Sequence, residues 1–523
     1  MAVKKQKQSN NLPLILVILD GWGIAEPNRG NAVTLAKTPV MNRLRERYPY
    51  TELCASGNCV GLPPFQSGNS EAGHMNIGAG RLVEQDSVKI SKSINDGTFF
   101  KNAAFLEAIR HVKKNKTKLH LMGMLSEGSS PHSDPDHIVA LVVLAKNFGV
   151  KDVILHLFTD GRDSPKFASL KMVNFIEKSF KNNECVGTIM GRFYAMDRKK
   201  EWERTEKAYN ALVLGQGKKA ESAEEAISES YNRGETDEFI EPYVITKDDK
   251  ITPRIGDGDS VIFFNLRSDR ARQLAKVFVQ SDFNGKNPGS FKRKKILKNL
   301  RFVAMTDFGP DLDSILTAYP AVDIVETLPM ALKSLRQLYI AETEKYAHVT
   351  YFFNGGYVGT VAGETQFMIP SPHVKYYDET PCMSSKPLAR TIVDNVKKGK
   401  YDFTVLNFAA PDMIGHTGDL KAGIKCISCV DKELGKIVNA YLRKGGTVVI
   451  TADHGNIEEM INLKTGEVDT EHSTNPVPFL VVNDKMKKMK LKKNGSLSDV
   501  APTILELLGV KKPKEMTGRS LIK

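Results

Sequence analysis

Short apolar runs, each leading directly into a polar loop, constrain the fold of this chain more than any other feature. These runs have the length of buried strands, and stretches with helical periodicity separate them. The alternation predicts an α/β protein built mainly on parallel sheets. Ligands of such sheets bind outside the carboxyl ends of the strands, so the residues after each run carry the functional information. Typical runs are "LILVIL", "VILHLF", "FTVLNF" and "TVVIT".

The first set of strand ends carries aspartate and histidine. A lone Asp after a strand is usually a turn or cap residue, and a lone His is usually structural. Several of them at one sheet edge are difficult to explain in that way. They offer oxygen and nitrogen ligands, without cysteine, for two divalent ions. The set comprises Asp20, Asp412, His416, Asp453, His454 and His472.

The second set of strand ends is rich in arginine and lies between residues 86 and 310. A single arginine at the start of a loop is usually a surface residue. Arginines after successive parallel strands would instead converge on one crevice, where their guanidinium groups match carboxylate and phosphate oxygens. We call this set the anion cage; its predicted members are His132, Arg162, Asp163, Arg192, Arg198, Arg267 and Arg270.

The order of the two sets predicts two domains. The metal-type residues occur at 20 and from 412 to 472, with the anion cage between them. A doubly wound sheet domain made of residues 1–85 and 311–523, with a second α/β domain inserted at 86–310, accounts for this order. The predicted crossings are the polar segments "RLVEQDSVKISKSINDG" and "DFGPDLDS".

Composition limits the partners. The net charge of +13 suggests nucleic acid, but the basic runs lie far apart and lack interleaved aromatic residues, so we interpret them as solvated surface. Positive charge can also attract a small anionic substrate. The apolar run near the start is shorter than the roughly 20 residues of a membrane span, and no signal cleavage pattern comes after it. We therefore expect a cytoplasmic protein without nucleic-acid or membrane partners.

In that compartment the six cysteines are expected to be reduced thiols. Cys426 and Cys429 form the closest pair, and they fall within a helical pattern. Core packing is the favoured interpretation of this pair over redox or metal chemistry.

Ser70 lies in "GNSEAGHMNIGAGR", among glycines, an asparagine and a histidine. On this stretch alone a polar turn residue is the favoured interpretation, since the spacing matches neither a Walker A loop nor a dinucleotide-binding motif. Two divalent ions nearby would change that. A metal-bound hydroxyl loses its proton far more readily than in water, which makes Ser70 a candidate nucleophile for phosphoryl transfer.

A series of motifs from Leu14 to Leu521 resembles the cofactor-independent phosphoglycerate mutases, of the alkaline phosphatase superfamily. The resemblance implies an isomerase that interconverts 3-phosphoglycerate and 2-phosphoglycerate through a phosphoserine. It also implies a metal-bearing phosphatase-like domain joined to an inserted transferase-like domain. The motifs are "DGWG", "GNSEAGHMNIGAGR", "DGRD", "GRFYAMDR", "FNLRSDRARQ", "ETEKYAHVTYFFNGG", "PDMIGHTG", "TADHGN" and "STNPVPF".

The same resemblance implies residue roles. Ser70 would be the phosphorylated nucleophile, Asp163 a general base, and Lys345 a substrate contact that neutralises charge near the transferring group. His132, Arg162, Asp163, Arg192 and Arg198 would hold the substrate, and Arg267 and Arg270 would bind its phosphate end. One metal site would use Asp20, Ser70, Asp453 and His454, and the other would use Asp412, His416 and His472.

The implied cofactors are two divalent ions. Mn²⁺ is the expected ion, and Co²⁺, Zn²⁺ or Mg²⁺ can accept the same ligands. The implied reaction needs no 2,3-bisphosphoglycerate, its partner is a small anionic phosphoglycerate, and we expect a monomer.

One loop departs from the family pattern. Members usually carry a pattern like S-D-G-G-V-H-S-H, whereas this chain reads "SEGSSPHSDPDH", which is one residue longer. Asp134 stands where a second histidine is common, and alignment of the H-S pair selects His132.

Two other functions stay open at this point. A metal-dependent phosphatase or a sugar-phosphate mutase of the same superfamily would use the same metal residues, although a hydrolase has little use for arginines that bind a carboxylate. A basic nucleic-acid-binding protein is the alternative from another class. It gives no role to the aspartate and histidine set.

Overall fold

The apolar runs form the strands of two separate sheets. The structure, a computed structural model, describes residues 12–127, 130–247, 250–309, 311–312 and 314–523. The strands are β1 (Leu14–Leu19), β2 (Tyr50–Cys54), β3 (Leu119–Leu125), β4 (Val153–Thr159), β5 (Cys185–Gly191), β6 (Lys218–Ala220), β7 (Tyr243–Lys247), β8 (Lys250–Ile251), β9 (Ser260–Phe263), β10 (Arg301–Thr306), β11 (Ile315–Tyr319), β12 (Gln337–Glu342), β13 (Thr365–Ile369), β14 (Phe403–Phe408), β15 (Thr447–Thr451), β16 (Val477–Val482) and β17 (Gly495–Ser496).

Helices form from the stretches with helical periodicity between these runs. They are α1 (Ala32–Leu35), α2 (Pro39–Arg47), α3 (Ser70–Ala79), α4 (Asp86–Asn95), α5 (Ala103–Asn115), α6 (Pro135–Asn147), α7 (Ser169–Glu177), α8 (Arg192–Ala195), α9 (Trp202–Leu214), α10 (Ala223–Asn232), α11 (Ser268–Val279), α12 (Phe283–Lys286), α13 (Leu328–Ala331), α14 (Ser385–Lys397), α15 (Ala410–Gly415), α16 (Leu420–Arg443) and α17 (Val500–Leu507). Within the described residues, none of them is long and apolar enough to cross a membrane.

The chain divides into two compact units. The first unit runs to Gln85 and resumes at Asp323, and the second spans Asp86–Val322. The second unit therefore continues beyond the predicted boundary at residue 310. It does so because β11 pairs in parallel with β10 and so belongs to the inserted sheet. Pro310 and Asp313, in the predicted crossing, lie outside the described residues.

The first unit is built on an eight-stranded sheet with the order β13-β12-β14-β1-β15-β16-β2-β17. Every side chain of β1 is buried, as expected for a central strand covered on both faces. β1 pairs in parallel with β14 and β15, so the three strands end at one edge. β16 runs antiparallel to β15, which brings the segment before β16 to that same edge.

The second unit contains a sheet with the order β11-β10-β9-β3-β4-β5-β7-β6, and β8 pairs with β7. The neighbours β9, β3, β4 and β5 are parallel, so the loops after them leave from one edge. Each unit has an apolar core on the faces of its own sheet. The predicted α/β class with mainly parallel sheets is confirmed.

The expectation of reduced cysteines is wrong for two pairs. Disulfides join Cys54 to Cys59 and Cys382 to Cys429. Cys426 is free and buried, as packing predicts, but Cys429 pairs across a separation of 47 residues. Spacing alone could not reveal this pairing, because the fold determines which thiols lie side by side.

Candidate metal centre and anion-binding site

The predicted acidic residues of the first unit meet at one sheet edge. Asp20 comes after β1, Asp412 lies on α15 after β14, and Asp453 comes after β15. All three are buried. His472 reaches the same edge from the segment that precedes β16. The sheet topology thus brings together residues from the two ends of the chain.

Asp412, His416 and His472 form one group of potential ligands, with ligand atoms within 4.8 Å of one another. The Nε2 atoms of the two histidines lie 3.0 Å apart, and they are 3.4 and 3.2 Å from Oδ1 of Asp412. Both Nδ1 atoms lie 2.8 Å from backbone carbonyls, those of Thr470 and Gly68, and must donate to them. When both rings are in the neutral form, their Nε2 lone pairs face each other and Asp412, an arrangement that a bound cation stabilises.

Ser70 is the first residue of α3, and the Asn69 side chain caps this helix by accepting from Ala72 N at 2.8 Å. The Ser70 hydroxyl is buried, with Oγ 2.9 Å from Nε2 of His454 and 3.3 Å from Oδ1 of Asp20. The amino end of a helix favours negative charge. Ser70 is therefore a buried helix residue beside metal-type ligands rather than an exposed turn residue.

Two further groups of potential ligands surround Ser70. One consists of Asp20, Asp412 and His454, and the other of Asp20, His74 and Asp453. Oδ2 of Asp453 is buried but accepts no hydrogen bond, although Nδ1 of His74 lies 3.2 Å away. A buried carboxylate oxygen without a donor suits a metal ligand. The donor set of the first unit thus fits divalent cations.

Lys345 connects these groups to the serine. Its Nζ lies 2.6 Å from Ser70 Oγ, 2.6 Å from Asp412 Oδ2 and 2.7 Å from Asp20 Oδ1. Burial opposes its charge, but the carboxylates of Asp20 and Asp412 raise the pKa of Lys345 above its ordinary value. Burial and the charge of Asp453 raise the pKa of Asp20 to about 7. A charged ammonium that donates to Oγ would stabilise a serine alkoxide.

His74 and Asn407 were not predicted as site residues. Nδ1 of His74 donates to the Ser70 carbonyl at 2.9 Å. Its Nε2 then accepts from Nδ2 of Asn407 at 3.0 Å, and the same amide donates to Asp20 Oδ2 at 2.6 Å. The spacing of four from Ser70 within α3 was an available signal for His74. Asn407 lies inside β14, and nothing in the sequence marked it as a site residue.

The anion cage of the second unit forms around a buried arginine. Nη1 of Arg192 lies 2.5 Å from Oδ1 of Asp160 and 2.5 Å from Oδ2 of Asp163. Asp160 also accepts from the backbone N–H groups of Arg162 and Asp163, at 3.2 and 3.1 Å. Asp163 Oδ2 is 3.8 Å from Nε2 of His132. Burial and the charge of Arg192 lower the pKa of His132 to about 4, so its ring is neutral.

Among the other cage arginines, Arg162 comes after β4, Arg198 after β5 and α8, and Arg267 after β9, whereas Arg270 lies within α11. Arg198 and Arg267 share Asp269, at 2.6 and 3.8 Å. Burial and the charges of Arg192 and Arg198 lower the pKa of Arg270, which reflects the convergence of cations. Two carboxylates in this region, Asp160 and Asp269, received no role from the sequence, although both lie inside quoted motifs.

The structure explains part of the loop "SEGSSPHSDPDH", which differs from the family pattern. Asp134 caps α6 by accepting from Asp136 N at 2.9 Å, which is a structural role. Gly128 and Ser129 of this loop lie outside the described residues.

Comparisons with known proteins decide the family. A model of the Metalloenzyme superfamily matches residues 12–512. The chain is 48% identical over 515 residues to the 2,3-bisphosphoglycerate-independent phosphoglycerate mutase of Clostridium kluyveri, and the match covers 98% of this chain and 99% of that protein. The protein of the same name from Clostridioides difficile gives the same values. The chain belongs to the family of 2,3-bisphosphoglycerate-independent phosphoglycerate mutases.

A solved structure also resembles this member of the mutase family. The crystal structure of Leishmania mexicana phosphoglycerate mutase at low cobalt concentration has a TM-score of 0.75 and 29% identity, and the match covers 100% of both chains. The predicted family is confirmed. The roles of individual residues stay predictions.

The charge environment of His416 predicts how this mutase-family protein responds to acid. Burial opposes its protonation, but the hydrogen bond to Asp412 raises the pKa of His416 above its ordinary value of about 6.5. Only the neutral ring binds metal, so Mn²⁺ affinity should be full above this raised pKa and fall as pH drops through it. Raising the Mn²⁺ concentration should move the acid limb of the activity profile to lower pH. An acid limb that stays fixed at all Mn²⁺ concentrations would contradict the ligand assignment.

The cage predicts that arginine geometry matters as well as charge. Arg270→Lys keeps the charge but loses the planar fork, so kcat/KM should fall about 10- to 100-fold, the cost of one charge-assisted hydrogen bond. Arg233→Lys is the matched control, because Arg233 pairs with Glu235 on the surface of the same unit. Equal activity of both variants would show that Arg270 does not hold the substrate.

Proposed function

We propose that this protein interconverts 3-phosphoglycerate and 2-phosphoglycerate through a phosphoserine at Ser70, without added 2,3-bisphosphoglycerate. The observation that carries the proposal is the position of Ser70 Oγ, which contacts Lys345 and lies beside His454 and Asp20. A nucleophile needs a group that favours its deprotonated form, and the Lys345 ammonium, together with a cation held by these ligands, would supply one. The name shared by the relatives supports the same reaction.

We assign two divalent ions to the first unit, with Mn²⁺ as the expected metal. The residues that would hold one ion are Asp20, Ser70, Asp453 and His454, and those for the other are Asp412, His416 and His472. When bound, such ions supply Lewis acidity that stabilises charge on the transferring phosphoryl group. Hard carboxylate oxygens with imidazole nitrogens fit Mn²⁺, and Co²⁺, Zn²⁺ and Mg²⁺ can use the same atoms.

Ser70 Oγ would attack the phosphorus of the substrate, forming the phosphoserine while the bond from phosphorus to the glycerate oxygen breaks. The Ser70 hydroxyl gives up its proton in this step and the released glycerate oxygen takes one up, so the protons balance. The other glycerate hydroxyl then gives its proton to a base, attacks the phosphoserine and releases Ser70. Asp163 is the proposed base, since it lies 3.8 Å from the neutral His132 and is held by Arg192. Lys345 would offset the charge on Ser70 throughout.

The anion cage distinguishes this reaction from hydrolysis. Arginines suited to a carboxylate keep the glycerate bound between the two transfers, whereas a phosphatase releases its alcohol and admits water. Phosphorus NMR of 3-phosphoglycerate with the purified protein separates the possibilities. Appearance of 2-phosphoglycerate supports the proposal, free phosphate indicates a phosphatase, and no change contradicts both. A cytoplasmic location and a monomeric state stay predictions.

Removal of the nucleophile should abolish transfer. Ser70→Ala loses only a hydroxyl, so the protein should fold, but turnover should fall by several orders of magnitude because the covalent acceptor is lost. Ser67→Ala, three residues earlier in the same segment, is the matched control and should keep parent activity. Near-normal turnover of folded Ser70→Ala would exclude the covalent route.

If the glycerate stays bound between the two transfers, isotopic labels on its carbon and on its phosphate should remain in the same product molecule. A mixture of unlabelled substrate and substrate labelled in both carbon and phosphate oxygen should yield 2-phosphoglycerate in which the two labels stay together. The product is analysed by mass spectrometry at early turnover. Scrambled labels would show that glycerate leaves between the transfers.

A further inference from the structure

Glu458 is a fully buried carboxylate to which the proposed reaction gives no role. Its Oε2 accepts from the backbone N–H groups of Gly23 at 3.0 Å and Asn456 at 2.9 Å. Its Oε1 accepts from the Ser473 hydroxyl and from Nδ2 of Asn475 at 3.0 Å. Four donors surround one side chain, and this matches the acceptor-only chemistry of an ionised carboxylate.

The four donors lie on the loops that carry the proposed metal ligands. Gly23 is three residues after Asp20, and Asn456 is two residues after His454. Ser473 comes directly after His472. One carboxylate therefore joins the loop after β1, the loop after β15 and the segment before β16.

The network extends to a ligand on a fourth segment. Nδ2 of Asn456, whose backbone N–H binds Glu458, donates to Oδ1 of Asp412 at 2.8 Å. Asp412 Oδ1 is the oxygen that faces the Nε2 atoms of His416 and His472. The position of this oxygen therefore depends on how Asn456 is held.

The backbone around Glu458 leaves room only for its carboxylate. A Cβ built on Gly23 would overlap Cδ of Glu458, and one on Gly455 would overlap Oε1. Glycine is required at both positions for this close approach. The sequences "DGWG" and "DHGN" thus provide both ligands and the space for the carboxylate between them.

We propose that Glu458 is a positioning residue for both metal sites, which holds the ligand loops in the geometry that binds the ions. This inference rests on the metal assignment of the proposed function. Outer groups that orient metal ligands typically change metal affinity when removed. A neutral glutamine would turn an NH₂ group toward two of the four donors. At least one of the loops would then lose a hydrogen bond to residue 458.

The test compares Glu458→Gln with Glu433→Gln. Glu433 is also a buried carboxylate of the first unit, but it pairs with Lys436 on its own helix. Mn²⁺ is titrated into the purified full-length protein, and electron paramagnetic resonance of the free Mn²⁺ gives the affinity. Glu458→Gln should bind Mn²⁺ roughly 10- to 100-fold more weakly than the parent. Glu433→Gln should match the parent in affinity, even if its melting temperature falls.

Two further readouts separate positioning from simple stability. The rise in melting temperature at a fixed Mn²⁺ concentration should shrink in Glu458→Gln, because a weaker ligand stabilises less. The visible absorption of bound Co²⁺ should also change, since it reports ligand geometry. A variant with a lower melting temperature but parent Mn²⁺ affinity and parent Co²⁺ spectrum would overturn the inference.

The outcomes also distinguish this inference from the proposed function. A parent protein that binds no Mn²⁺ would refute the metal assignment itself, and the inference with it. A parent that binds Mn²⁺ with the same affinity as Glu458→Gln would refute only the inference. If Glu458→Gln fails to fold, Ser473→Ala removes the donor beside His472 and gives the same comparison. It should weaken Mn²⁺ binding in a folded protein, and parent affinity would overturn the inference.

Discussion

The buried ammonium of Lys345 is the interaction on which the other groups of this site rely. Asp20, Asp412 and Asp453 come together in a fully buried region, where unpaired negative charges are costly. Lys345 lies 2.7 and 2.6 Å from the first two and also contacts Ser70. Its one charge thereby compensates the carboxylates, and the same ammonium donates a hydrogen bond to the serine hydroxyl. Divalent ions would supply the remaining compensation.

Each unit contributes a different chemistry through the same topological rule. Parallel strands end at one edge, so the loops after β1, β14 and β15 collect carboxylates and imidazoles, while those after β4, β5 and β9 collect arginines. The first set suits cations and the second suits anions. The proposed reaction uses both, because the phosphoryl group would move while the carboxylate end of the substrate stays bound.

Residues at the ends of strands could be predicted from the sequence more readily than the groups that hold them in place. Asp20, Asp412 and Asp453 could be found because strand ends are visible as apolar runs. Ser70 became a candidate only through the two ions predicted beside it, and Lys345 needed the family resemblance. Glu458 could not be found, because its contact with Gly23 spans 435 residues and only the fold reveals it. The pairing of Cys382 with Cys429 could not be predicted for the same reason.

The proposed reaction requires that Ser70 carries the phosphoryl group during turnover. Mass spectrometry of the protein, quenched in acid during steady turnover with 3-phosphoglycerate and Mn²⁺ and then digested, detects this intermediate without relying on a variant. We expect a phosphorylated peptide whose fragments place the phosphate on Ser70, and its loss when substrate is omitted. An unmodified Ser70 peptide from enzyme trapped during turnover, or phosphate on another residue, would contradict the covalent mechanism.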